Sequence, residues 1–188
     1  MVQNNEHTLI RLDFITPTVV LVLQLFTREP VQQFHEREVV RKTGVSKGSA
    51  NKILRMLADI EMLRSERKGR MVFYRLDLQD PLARQFKILE NVNSLRTAVR
   101  GIRDHARKIV LFGSCSQGTD ARTSDFDLFV LTQDKDAVRK KISEFNRQSP
   151  RKIAPIIVGA NEYAKLRRED KPLNENIEKG ITLWQAEG

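Results

Sequence analysis

Two short apolar runs, 108–112 and 126–131, set the tightest limits on how this chain folds. The first reads KIVLF and runs straight into Gly113-Ser114-Cys115-Ser116; the second reads FDLFVL and is entered through Asp125. Apolar runs this short, bounded by turn residues, predict buried strands. Side chains alternate along a strand, so Phe126, Leu128 and Val130 share one face. Asp125 and Asp127 then project together from the other face, at the strand's start. Carboxylates held that close repel unless a cation neutralises them, and Mg²⁺ favours carboxylate and phosphate oxygens while keeping several waters. A Gly-Ser turn brings backbone N–H groups and hydroxyls (Ser114, Ser116) against a phosphate, and Gly113 permits the close backbone approach. Together these parts suit in-line nucleotidyl transfer, in which a triphosphate is held and charge on the transferring phosphoryl group is stabilised.

The string Gly113-Ser114, ten residues, Asp125-x-Asp127 resembles the signature of the DNA polymerase β-like nucleotidyltransferase superfamily. More narrowly, it is similar to the minimal nucleotidyltransferases of prokaryotes, including antitoxin members that adenylylate a partner toxin. The resemblance covers roughly residues 95–188. It implies that Gly113, Ser114 and Ser116 hold the phosphates of ATP or another nucleoside triphosphate. It implies that Asp125 and Asp127 bind Mg²⁺ and carry the catalysis, and that a protein such as a toxin is a possible acceptor. Active members carry a third carboxylate on a later strand. Here that strand, KIAPIIV at 152–158, contains no acid. Glu162 and Asp120 are the weak substitutes. Cys115 has no histidine within the motif and reads as a small loop residue. The expectation is therefore a domain that binds metal and nucleotide, with transfer slow or lost. The alternative is a transcriptional regulator whose second domain senses nucleotide without turnover.

The first half of the chain reads differently. A segment from Thr16, TPTVVLVLQLFTREP, reads as a buried helix, although its β-branched residues leave a strand open. HEREVVRKTGVSKGSANKILRML follows. Gly44 falls where a helix ends left-handed, and Ser46 is placed to cap the next one. Ala50, Ile53, Leu54 and Leu57 recur at the spacing of a buried stripe. After Leu63, RSERKGRMVFYRLD predicts a hairpin turning at Lys68-Gly69. The order helix, turn, helix, basic hairpin resembles a winged helix-turn-helix domain over roughly residues 8–78. The formal net charge is +9, and residues 41–75 alone hold ten basic and three acidic side chains. The excess thus sits on the elements that would meet double-stranded DNA. Lys47, Ser49, Asn51, Lys52 and Arg55 are the candidates for the groove, and Arg67, Lys68 and Arg70 for the backbone.

Between the halves, Asp80-Pro81 opens a stripe through Leu82, Phe86, Leu89, Val92, Leu95, Val99, Ile102 and Ala106, which Gly101 is placed to break. It reads as a linker helix or as a homodimer seam. The expected architecture is α+β: a winged helix-turn-helix domain over 1–79, a connecting helix over 80–106 and a small mixed-sheet nucleotidyltransferase domain over 107–188. The arrangement is similar to fusions found among prokaryotic, especially archaeal, members. No apolar run is long enough to span a bilayer, and MVQNNEHTLIRLDF lacks the pattern of a signal peptide, so the expectation is a cytoplasmic protein with no membrane partner. One cysteine and three scattered histidines exclude a disulfide framework and a Cys/His metal cluster.

Overall fold

Thr16 accepts a hydrogen bond from the Val19 amide (3.4 Å), and Pro17 follows at the first helical position. The β-branched segment after it is therefore helix α1, Pro17–Arg28, with Val19, Val22, Leu23 and Phe26 buried. The computed structural model describes residues 12–187. Residues 1–11, which hold the start of the first expected domain and most of the segment read for a leader, and Gly188 lie outside the described residues. The chain divides into two compact units, one ending at Asp77 and the other beginning at Leu78.

In the first unit a two-residue strand, β1 (Phe34–His35), leads into α2 (Glu36–Thr43). Gly44 ends α2 at φ +73°, as a left-handed cap requires. Ser46 then caps α3 (Lys47–Asp59), its hydroxyl accepting from the Ser49 amide at 3.2 Å. Ala50, Ile53, Leu54 and Leu57 form the buried stripe. The hairpin comprises β2 (Leu63–Lys68) and β3 (Met71–Leu76), turning at Gly69 (φ +62°) and Arg70. Sequence periodicity could not announce β1, because two residues have no period. It pairs with β3 and makes a three-stranded sheet in the order β1-β3-β2. This is the winged helix-turn-helix arrangement.

The second unit starts with α4 (Pro81–Ile102), whose cap Asp80 accepts from the Ala83 amide at 2.7 Å. Its buried face differs from the expected stripe. Lys87 and Asn91 are buried, whereas Leu89 is 62% exposed. Polar partners beneath the helix, described below, decide which face turns inward. Gly101 does not break α4, which ends one residue later. The remaining elements are β4 (Ala106–Phe112), a single turn α5 (Ser114–Gln117), β5 (Phe126–Thr132), α6 (Lys135–Gln148), β6 (Ile153–Val158), α7 (Ala160–Glu169), α8 (Lys171–Glu178) and β7 (Ile181–Gln185). The sheet order is β6-β5-β4-β7, with β5 and β6 parallel and the other pairs antiparallel. The parallel pair needs a crossover, and α6 supplies it. One sheet face (Ile109, Leu111, Phe126, Leu128, Val130) packs with Leu95 and Ile102 of α4 and with Val138 and Ile142 of α6. The other (Val110, Phe112, Phe129) packs with Tyr163 and Leu166 of α7 and Ile177 of α8.

The chain between the units is bonded at both ends. The Asp77 amide donates to the Met62 carbonyl (3.0 Å), and its carboxylate pairs with Arg64 (2.5 Å). The Leu78 carbonyl accepts from Arg84 Nε at 2.6 Å. Among the described residues no helix is long and apolar enough to cross a membrane.

Candidate functional site

The register of the second sheet sets Phe112, the last residue of β4, opposite Asp127 on β5. The turn leaving β4 therefore passes directly over the Asp127 carboxylate. Gly113 adopts φ +69°, and a Cβ built there would lie 2.4 Å from Asp127 Oδ2. Conformation favours glycine here, and a Cβ would fit only if the Asp127 carboxylate moved aside. Gly118 repeats this at the far end of the turn, where φ is +67° and a Cβ would lie 2.5 Å from the Arg84 carbonyl oxygen. Between them Ser114 is half-buried, and Ser116 Oγ donates to the Gly113 carbonyl at 2.8 Å. The Ser116 hydroxyl is therefore used in shaping the turn.

Asp125 is exposed and Asp127 half-buried, both at the entry of β5. Burial pushes the Asp127 carboxyl above the usual carboxylate range, and the Asp125 charge adds to the shift. Among the described residues no group of three or more His, Cys, Asp or Glu side chains forms a metal site. Two carboxylates alone fit Mg²⁺, which takes its other oxygens from water and phosphate. A cation at this position would offset both the burial of the Asp127 carboxylate and the neighbouring Asp125 charge.

On β6 the residue in register with Asp127 is Ala154, exposed and without a carboxylate. Glu162 is committed elsewhere. It accepts from the Gly159 amide at 2.7 Å and pairs with Lys135, and these contacts hold its carboxyl below the usual range. Asp120 is 5% exposed and also committed. Its Oδ2 accepts from Arg151 Nη2 at 2.9 Å, its Oδ1 from Asn91 Nδ2 at 2.9 Å, and Lys87 Nζ lies 3.5 Å from Oδ1.

That cluster was not legible in the sequence motif. Arg151 reaches Ser124 O (2.5 Å), Asn91 Oδ1 (2.9 Å) and Cys115 Sγ (2.8 Å), and stacks on Phe126 at 4.2 Å from the ring centre. Asn91 also donates to the Cys115 carbonyl at 2.9 Å, and Lys87 donates to the Asp120 carbonyl. Three segments that are distant in sequence, 87–91, 115–126 and the residue Arg151, are thereby bonded together at the Gly113–Gly118 turn. The available signal was Lys87 and Asn91, four residues apart on one helix face. Cys115 is fully buried, its thiol pushed up to about 11 by burial. It donates to the Asp125 carbonyl at 3.1 Å and serves as a tie within the fold.

In the first unit Lys47, Ser49, Lys52 and Arg55 lie exposed on α3, and Arg67, Lys68 and Arg70 on the hairpin. Asn51 is half-buried and donates to Glu36 Oε2 at 2.6 Å, so a base edge would have to compete with α2 for it. Lys68 is held by Gln33 (2.6 Å) and Glu66 (3.3 Å).

Residues 92–182 match the family model described as "Nucleotidyltransferase domain", so the second unit carries a nucleotidyltransferase domain. No curated protein matches the chain. Three solved structures show partial likeness. The AntR antimony-specific transcriptional repressor is 21% identical over 45% of this chain and 74% of its own, with a TM-score of 0.38. A toxin-antitoxin structure with AMP-PNP is 26% identical over 52% of this chain and 75% of its own, at 0.38. A putative nucleotidyltransferase from Sulfolobus solfataricus is 13% identical over 58% of this chain and 93% of its own, at 0.39.

Proposed function

We propose that the protein is a DNA-binding regulator whose second unit binds a nucleoside triphosphate, in the first instance ATP, with Mg²⁺, and transfers the nucleoside monophosphate to a hydroxyl of a protein partner such as a toxin. The observation that carries this reading is the contact of the Gly113 turn with the Asp127 carboxylate, inside a segment matched by a nucleotidyltransferase family model. Gly113 and Ser114 hold the phosphates, with Ser116 shaping the turn. Asp125 and Asp127 hold Mg²⁺, which when bound offsets charge on the transferring phosphoryl group. Ala154 offers no general base to the acceptor hydroxyl, a deficit of about 10²–10⁴ in rate.

Ala154 is also the observation that favours a second reading, nucleotide sensing without turnover. One experiment separates the two. The full chain is incubated with Mg²⁺, ATP labelled at the α-phosphate and a candidate partner, and both binding and transfer are measured. Label on the partner that disappears with Asp125→Asn supports transfer. Binding without label supports sensing. Neither binding nor label sinks both.

The first unit is read as a binder of double-stranded DNA through the basic faces of α3 and the hairpin. Replacing Lys47, Lys52, Arg67 and Arg70 with alanine should weaken binding and flatten the slope of log affinity against log salt by about 2 to 4, near 0.9 for each of the four side chains that meets a phosphate. Fluorescence anisotropy with a duplex across a salt series measures this. An unchanged slope would remove these residues from the interface.

A further inference from the structure

A groove of about 180 Å³ lies between α4 and β7, away from the Asp125–Asp127 pair in the fold. Its floor is apolar, made by Val92 and Val99 of α4 and by Leu183 and Trp184 of β7. Two consecutive strand residues normally face opposite ways. Here the pairing of β4 with β7 shifts register between Ile109 and Val110, and Leu183 and Trp184 both pack against the α4 side of the sheet. The rim is cationic. Arg96, Arg100 and Arg103 are all exposed and line the groove, and the Arg103 guanidinium lies 5.6 Å from the Trp184 ring centre. Arg103 pairs with Asp104; Arg96 and Arg100 make no ion pair among the described residues.

This arrangement is costly for an unpartnered surface. Like charges four residues apart on a helix destabilise it by a few tenths of a kcal/mol. Val92, Val99, Leu183 and Trp184 are only partly buried, and the part of each that faces water gains nothing there. Both costs are relieved by one kind of ligand, an apolar group flanked by carboxylates. The volume is below the roughly 300–1,000 Å³ of a small-molecule pocket, and suits a single side chain better than a nucleotide. In addition, β7 is the outer strand of its sheet, so an extended segment beside it can bond to backbone as well as to side chains.

We propose that this groove docks an acidic peptide segment of a partner protein, with one apolar side chain seated against Leu183 and Trp184 and carboxylates on Arg96 and Arg100. The proposal is independent of whether the Asp pair binds nucleotide. Trp184 is the chain's only tryptophan, so its emission reports on the groove directly.

The test selects tryptophan-free peptides from a random display library on the full chain. Winners are then titrated while Trp184 emission is followed. The expected winners carry two or more Asp or Glu around a Leu, Ile or Phe, and change Trp184 emission saturably. Arg96→Glu with Arg100→Glu should weaken them at least 10-fold, and Arg96→Gln with Arg100→Gln should do so by a smaller factor. Both variants should keep the wild-type melting temperature, because the side chains are exposed. Winners without acidic residues, or binding that both variants leave unchanged, would overturn the proposal. So would equal competition by a single-stranded oligonucleotide and by the apolar-anchored peptide, which would point to a nucleic acid. A second copy of the chain in the groove, seen as self-association lost in the same variants, would overturn it as well.

Discussion

Asp120→Asn should cost the second unit about 3–5 kcal/mol, the scale for breaking a buried ion pair from one side. The reason is the count of charges around it. Lys87 is 3% exposed, and Arg151 is half-buried against the same carboxylate. Neutralising Asp120 leaves both cations without their counter-charge, and Lys87 is away from water. Asn91 and the Cys115 and Ser124 backbone can take some of the freed hydrogen bonds, but none of the charge. Urea denaturation followed through Trp184 measures the second unit alone, which matters because two units need not unfold in one step. Lys87→Met placed in the Asp120→Asn background should recover part of the loss, since it removes one of the stranded cations. A loss below about 1 kcal/mol would show that the cluster does not brace the turn.

Asp127→Asn should act in opposite directions on stability and on chemistry. In the folded chain burial, and then the Asp125 charge, raise the Asp127 carboxyl above its unfolded value. A carboxyl raised on folding stabilises the fold below its unfolded pKa, and that contribution is lost as pH rises through the folded value. At pH 7 the ionised wild-type group therefore opposes folding, and the amide does not. The variant should be the more stable protein at pH 7, with the gap closing towards pH 3. Millimolar Mg²⁺ should stabilise the wild type and leave the variant unmoved. Nucleotidyl transfer, where it is present, should fall by about 100-fold or more, because several kcal/mol of charge stabilisation go with the ligand. A variant that is less stable at neutral pH would mean that Asp127 is a structural hydrogen-bond acceptor, with no cation to wait for.

The parts that were legible in the sequence share a property: each depends on residues close in the chain. The Gly44 stop, the Ser46 cap and the alternation along β5 are local, and each could be read from a few letters. Gly113 was legible as a point of close backbone approach, although its closeness to Asp127 rests on the register of β4 with β5. The bracing cluster was not, because it joins Lys87, Asn91, Asp120 and Arg151, and its Asn91–Arg151 bond alone spans sixty residues. Its members mimic other things in sequence. Lys87 looks like a solvated charge, Asp120 like a spare carboxylate and Leu89 like core, and only the packing of α4 on the turn reassigns them. The absence of a third carboxylate was visible as a composition of β6; that Ala154 is the residue beside Asp127 needed the parallel register.

The bonded joint between the units has a consequence for encounter. Asp77 is tied into the hairpin and Leu78 into α4, and Leu76 and Pro81, the strand end and helix start, are five residue steps apart. That much chain reaches about 18 Å at most. A short tether sets a millimolar-scale effective concentration for one unit's ligand around the other. A partner docked on the second unit would thus meet whatever the first unit holds far more often than free diffusion allows, and a weak affinity at either surface would be enough.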